Sequence, residues 1–130
     1  MPIIDLVARI LLSGIFLAAA PRHFTSEGAE HAAELGVPLA RFAVPLSGVL
    51  AIAGGLGVLL GFHARWGAVA LVAFLMPVTL GMHAFWRLDD PVQIHVQQAM
   101  FFKNLAIIGG ALILALHGAG AWSLDAWLRR

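Results

Sequence analysis

Residues 101–116 read FFKNLAIIGGALILAL, and this run decides the fold class of the chain. It is apolar enough for the interior of a membrane, yet Lys103 and Asn104 stand near its start. Three further apolar stretches precede it, and each approaches the ~20 residues with which a helix crosses ~30 Å of hydrocarbon. We therefore expect four membrane-spanning helices, at residues 3–20, 39–62, 66–86 and 97–117.

The composition indicates a membrane protein. Of the 130 residues, 61% are hydrophobic in the broad sense and 12% are charged, whereas a typical soluble domain is about half apolar and about a quarter charged. Cysteine is absent, which excludes disulfides and thiolate chemistry. No second domain or nucleic-acid-binding patch is indicated. We predict a single domain over residues 1–130, an all-α, antiparallel four-helix bundle in the membrane.

The first apolar stretch has an alternative interpretation as a secretory signal. Residues 18–20 are all alanine and resemble a small-residue cleavage site. However, Asp5 nearly balances the charge of Arg9, whereas a signal has a positive start. We interpret this stretch as a retained span.

The segments outside the spans contain helix signals of their own. SEGAEHAAELG, residues 26–36, predicts a short helix at the membrane surface, with Ser26 as its N-cap and Gly36 at its end. Ser123 predicts the cap of a final turn or two. Arginines near the span ends slightly favour both termini in the cytoplasm. One side carries Arg9, Arg65, Arg129 and Arg130, and the other carries Arg22, Arg41 and Arg87.

Small residues indicate how the spans pack, because helices in lipid associate through close backbone approach. Helix two carries a glycine stripe, which also leaves dimerisation open, and helix four has small residues on the face of Lys103. On helix one, an aspartate and an arginine four residues apart can neutralise each other. The residues with an expected packing role are Asp5, Arg9, Gly54, Gly57, Gly61 and Gly110.

Lys103 has two interpretations. Ionisable residues inside a membrane usually face the bundle and find partners there. A lysine roughly two turns from an interface can instead extend its stem toward water. Both interpretations remain open at this point, and the polar residues predicted near Lys103 favour the first.

Antiparallel crossing brings the ends of helices one and three and the start of helix four to one membrane face. We predict a pocket of hydrogen-bond donors there, formed by His23, His83, Trp86, Lys103 and Asn104. It suits the carbonyl oxygens of a quinone, and His83 is placed to exchange protons with the reduced ring. No catalytic residue is predicted. The histidine spacings on the helices predict no metal site, and haem is not expected.

Several motifs resemble the DoxX family of small four-helix bacterial membrane proteins: RILLSGIFL, GGLGVLLG, HAFW and FFKNLAIIGGALILALHGAGAWSLD. The resemblance implies a bundle in the bacterial inner membrane, associated with membrane redox chemistry. By position, the polar residues characteristic of that family correspond to Arg9, His83, Lys103 and Asn104 of this chain. Many members have a glutamate where this chain has Ala51, and a lysine where it has Arg22. These departures argue against catalysis by this chain alone.

Two functional hypotheses follow. In the first, the chain is an accessory or anchor subunit of a quinone-linked membrane oxidoreductase, with a bound quinone or lipid and a protein partner that carries the redox centre. In the second, it is a structural or small-solute-handling membrane protein without redox activity.

Overall fold

Four of the helices are long and apolar enough to cross a membrane. In the computed structural model, which describes all 130 residues, every regular element is helical. The first span continues through a 3-10 turn at Ala20–Phe24, and the third span ends with another such turn, Phe85–Arg87. The helices are α1 (Pro2–Ala19), α2 (Ser26–Glu34), α3 (Ala40–Leu60), α4 (Ala64–Met82), α5 (Pro91–His117) and α6 (Leu124–Trp127).

The last span begins at Pro91, six residues before the predicted start at residue 97. The side chain of Asp90 accepts hydrogen bonds from the N–H groups of Val92 and Gln93, at 3.4 and 3.3 Å. Proline suits the first helical position, because its missing N–H has no partner to lose there. The polar sequence after Asp90 is therefore the first turns of α5 and not a loop.

The short surface helix α2 is present, but its N-cap is Thr25 rather than Ser26. The hydroxyl oxygen of Thr25 accepts from the N–H of Gly28 at 3.1 Å. Gly36 follows the helix with φ of 86°, as predicted, in a region that favours glycine. Ser123 caps α6, also as predicted.

The spans follow one another through the membrane in alternating directions. α1 packs on α3, α3 on α4, and α4 on α5, whereas α1 and α5 hardly touch. We call the end of the bundle that holds the start of α1 and residues 118–130 the tail end, and the opposite end the loop end. The core side chains are Phe16, Ala51, Val58, Ala68, Leu71, Phe74, Leu75 and Ile108.

Glycines bring the backbones of α3 and α4 into contact. A Cβ added to Gly54 would lie 2.9 Å from the carbonyl oxygen of Gly67, and one added to Gly67 would lie 3.0 Å from the oxygen of Gly54. Gly57 lies beside the same contact. Gly110 differs from these, because its added Cβ would meet only Leu12, at 3.9 Å. The packing role expected for Gly110 is therefore not supported by a close contact.

We expect Gly54→Ala to lower the free energy of unfolding by about 1–3 kcal/mol, because the new methyl group meets backbone that cannot turn aside. Gly109→Ala is the matched control, since an added Cβ there has nothing within 4 Å. Circular dichroism during detergent denaturation measures both variants. Equal stability of the two variants would contradict the α3–α4 backbone contact.

Candidate functional site

A cleft of about 430 Å³ opens at the loop end, between residues 20–24, α2, α3 and α4. Its walls are mainly small and branched apolar side chains. No carboxylate lines it. The polar side chains in its lining are Arg22, His23, His31, Ser47 and His83. The cleft therefore offers hydrogen-bond donors and positive charge within an apolar enclosure.

His23 is held in one orientation by α3. Its Nδ1 lies 3.0 Å from the hydroxyl oxygen of Ser47, which in turn donates to the carbonyl of Val44 at 2.6 Å. Because the single hydroxyl hydrogen of Ser47 is used in that second bond, Nδ1 of His23 must be the donor in the first. Nε2 of a neutral His23 then carries a lone pair. The ring also packs against Phe74, with 5.3 Å between the ring centroids.

His83 follows the end of α4, where its side chain connects to α5. Its Nδ1 lies 2.7 Å from Oε1 of Gln97. The amide oxygen only accepts, so Nδ1 is again the donor and Nε2 is left as the acceptor of a neutral ring. The two cleft histidines thus have matching tautomers, each fixed by a neighbouring helix.

The structure does not bring all the predicted pocket residues together. His23 and His83 line the cleft, while Asn104 lies on the buried contact between α4 and α5 and donates from Nδ2 to the hydroxyl of Thr79 at 3.1 Å. Lys103 is exposed on the outer surface of α5, and its Nζ has Met100 Sδ at 3.5 Å. The expectation that Lys103 faces inward beside His83 is wrong. Successive helical residues point 100° apart, and Asn104 takes the inward position.

Trp86 packs outside the cleft. Its ring meets Phe85 and Phe101 edge-on, at centroid distances of 5.3 and 5.7 Å, and Phe102 completes this aromatic cluster. Trp86 is not among the residues that line the cleft. The prediction that Trp86 belongs to the pocket is therefore wrong, and its ring joins a separate aromatic cluster between the Phe85–Arg87 turn and α5.

Two lining residues were missed by the sequence analysis. His31 lies on α2 three residues after Gly28 and one before Ala32, so these three share the helix face that covers the cleft. This spacing could have indicated from the sequence that His31 lies on the same helix face as Gly28. Ser47 lies within the apolar sequence of α3, where nothing distinguishes it from a serine that only bonds its own backbone. No three His, Asp or Glu side chains are grouped so that they could hold a metal ion.

Arg9 is buried at the tail end and is 1% exposed. Its Nη1 donates to the carbonyl of Leu59 at 3.0 Å, and its Nη2 donates to the carbonyl of Trp122. Asp5 makes no direct ion pair with Arg9 and lies against Gly120 of the tail, but its charge still acts on the guanidinium, so the two charges offset each other without a contact. Arg9 ties the end of α3 to the tail.

Asp125 completes this connection, which we call the tail latch (residues 118–127). Its carboxylate accepts from the N–H groups of His63 and Ala64, at 2.7 and 3.0 Å, and so caps α4. Burial of the carboxyl alone would raise the pKa of Asp125. The hydrogen bonds from Ala64 and His63, with the charges of His63 and Arg129, outweigh burial and lower this pKa below its usual 3.8.

Comparison with known proteins identifies the family. Residues 39–130 match the SURF4 family. The chain belongs to the SURF4 family. It is 35% identical over 127 residues to Inner membrane protein YqjF of Escherichia coli (strain K12). This alignment covers 96% of this chain and 92% of YqjF. No solved structure matches it.

Two further relatives extend this picture. Inner membrane protein YphA of Escherichia coli (strain K12) is 29% identical over 126 residues, 95% of this chain and 89% of YphA. The Surfeit locus protein 4 homolog of Schizosaccharomyces pombe is 30% identical over 123 residues, 93% of this chain but 36% of that protein.

The SURF4 assignment corrects the resemblance to the DoxX family, which is wrong. Most residues of the motifs behind that resemblance are leucine, isoleucine, alanine, glycine and phenylalanine, which unrelated membrane helices share because they suit lipid and close helix packing. The redox association that came only from the resemblance loses its basis.

We expect Asp125→Ala to lower the free energy of unfolding by about 1–2 kcal/mol at pH 7, because the first turn of α4 loses its cap. A lowered folded-state pKa means that the charged carboxylate stabilises the fold above pH 3.8 and loses this effect as the pH falls further. The difference in the free energy of unfolding between the native protein and Asp125→Ala should therefore become smaller below about pH 4.

Asp89→Ala is the control, because Asp89 is an exposed carboxylate in the link before α5. Denaturation midpoints measured from pH 3 to 7 compare the two variants. A difference for Asp125→Ala that stays constant over this range would contradict the capping role.

Proposed function

We propose that this SURF4-family protein is a non-catalytic membrane protein that binds a small amphiphilic molecule in the cleft at the loop end. The observation that carries the proposal is the lining of the cleft, which combines cationic and histidine donors with apolar walls and contains no carboxylate. A volume of about 430 Å³ falls within the ~300–1,000 Å³ typical of small-ligand sites. The proposal develops the small-solute-handling hypothesis.

The lining selects the chemistry of the ligand. Arg22 at the rim is permanently charged, and protonated His23 or His83 would donate from Nε2 as well as Nδ1. These groups favour a head with carboxylate, phosphate or carbonyl oxygens. The apolar part of the ligand would lie along side chains such as Val78 and Met82.

The contacts of Ser47 argue against a hydrolase. A serine nucleophile must give its proton to a neighbouring base, and that base needs a third group to orient it. Here His23 donates to Ser47, and Ser47 donates to a backbone carbonyl. The bond directions are opposite to those of an activated nucleophile. Ser47 and His23 therefore serve better as a fixed ligand-binding pair.

A quinone belongs to the proposed ligand class, because its ring presents carbonyl oxygens on a flat apolar body. The accessory role in quinone-linked oxidoreduction, and the partner with a redox centre, stay predictions from the sequence. The two Escherichia coli relatives are named inner membrane proteins, and we propose the same membrane for this chain.

The orientation in that membrane is not decided by the loop charges. Arg9 is buried, so it does not count among the exposed arginines that are compared between the two ends. Three arginines then remain at each end: Arg65, Arg129 and Arg130 at the tail end, and Arg22, Arg41 and Arg87 at the loop end. The placement of both termini in the cytoplasm stays a prediction.

The proposal is tested by calorimetric titration of the protein in nanodiscs with a short-chain ubiquinone and with decanoate. We expect at least one probe to bind, and His23→Phe to weaken it about tenfold, as for one lost hydrogen bond. Phenylalanine keeps the ring packing against Phe74. Arg22→Gln should weaken decanoate more than the neutral quinone.

The control is His95→Phe, because His95 is exposed on α5 and does not line the cleft. It should leave the affinity unchanged. If neither probe binds, or if the control loses as much affinity as His23→Phe, the cleft has only a packing role and the proposal fails.

A further inference from the structure

Lys103 lies near the midpoint of α5, the longest of the four spanning helices, and has no charged partner. It is exposed on α5, and its ammonium donates to the thioether sulfur of Met100 at 3.5 Å. Thioether sulfur is a weak acceptor. Ionisable groups in a membrane ordinarily face a partner or a water-filled cavity, because lipid solvates them poorly. The surface around Lys103 is therefore incomplete in the isolated chain.

The depth of Lys103 follows from the tail end. Gly118, just after α5, lies against Arg65 in the first turn of α4, so the two helices reach the same membrane border. Lys103 comes 14 residues before His117, which places it about 21 Å from that border at 1.5 Å per residue. In a ~30 Å core it lies about 9 Å inside the opposite border.

Small residues continue from Lys103 toward the centre of the membrane. Ala99, Lys103, Ala106 and Gly110 are spaced four, three and four apart, which places them on one flank of α5, and all are exposed. We call this set the α5 stripe. It borders the seam where α1 and α5 hardly touch, and an added Cβ on Gly110 would meet only Leu12 of α1.

We propose that the α5 stripe is the docking surface for a transmembrane helix of a partner protein, and that this helix carries an aspartate or glutamate at the depth of Lys103. The carboxylate would neutralise the ammonium within the membrane. The small residues would let the two helix backbones approach closely, which is the main source of helix association in lipid.

A second copy of this chain does not meet the charge requirement. The spans contain one carboxylate, Asp5, and it lies at the tail end. A two-fold axis along the membrane normal would place Lys103 at the same depth in both copies, so like charges would approach. The stem of Lys103 extends toward Met100 and hence toward the loop-end border, where a lipid headgroup would meet the charge requirement. A headgroup would leave Ala106 and Gly110 without a partner.

The proposal is tested with two synthetic leucine–alanine transmembrane helices that differ at one position. Each carries Glu or Gln about six residues inside its loop-end border, to match the depth of Lys103. The chain has no cysteine, so Arg130→Cys takes a single fluorescent donor. Energy transfer to labelled peptide is measured in phosphatidylcholine vesicles.

We expect the Glu peptide to associate about tenfold more tightly than the Gln peptide. Lys103→Met should abolish this preference, and Lys103→Arg should retain it. Gly110→Ile should weaken the association of both peptides. Gly14→Ile should change nothing, because Gly14 faces open space on another helix. Circular dichroism confirms that each variant is folded.

Three results would each overturn the proposal. The first is equal association of the two peptides with the native protein, or a preference that survives in Lys103→Met. The second is loss of the preference when phosphatidylglycerol is added, which would assign Lys103 to a lipid headgroup. The third is energy transfer between labelled copies of the protein that outcompetes the Glu peptide, which would assign the surface to self-association.

Discussion

The hydrogen bonds of the Arg9 guanidinium to backbone carbonyls are the constraint on which the tail end depends. The last carbonyls of a helix have no partner within that helix, and inside a membrane water does not replace one. Arg9 supplies donors to Val58 and Leu59 at the end of α3 and to Trp122 in the tail. A charge that would be costly alone is thereby surrounded by carbonyl dipoles, although its Nε has no partner. Arg9 therefore supplies hydrogen-bond donors to backbone carbonyls at the end of α3 and in the tail.

The cleft with several polar side chains in its lining lies at the loop end, away from Arg9. Near the tail end α3 and α4 are in backbone contact through Gly54 and Gly67, and a cleft of about 270 Å³ with no lysine, arginine, aspartate or glutamate in its lining lies beside this contact. Toward the loop end the space beside α3 and α4 is filled by residues 20–24 and α2, and the 430 Å³ cleft remains among these elements. The polar groups at the two ends therefore differ in role. At the tail end they satisfy backbone, whereas at the loop end His23 and His83 keep ring nitrogens that are not used by the fold.

The spans were predictable from the sequence because hydropathy over about 20 residues reports directly on the solvent of a helix. The choice between Lys103 and Asn104 was not, since both lie in one apolar helix and the neighbour that selects Asn104 is Thr79, 25 residues earlier. Arg9 shows the same limit. Its partners are 50 and 113 residues away, so the local spacing suggested Asp5 instead. Helix positions are local properties, whereas the partners of polar side chains depend on which helices become neighbours.

The structural unit of this chain is larger than the stretch that matches the SURF4 family model. The match covers residues 39–130, so it omits α1, the turn after it and α2. Without them the carbonyls of Leu59 and Trp122 would lose the donors of Arg9, and the cleft would lose His23. The alignment with YqjF covers 96% of this chain, so that relative is comparable over both ends of the bundle. The residues before 39 provide donors at both ends, so the loop-end cleft and the hydrogen bonds of the tail end require the first span as much as the three that follow.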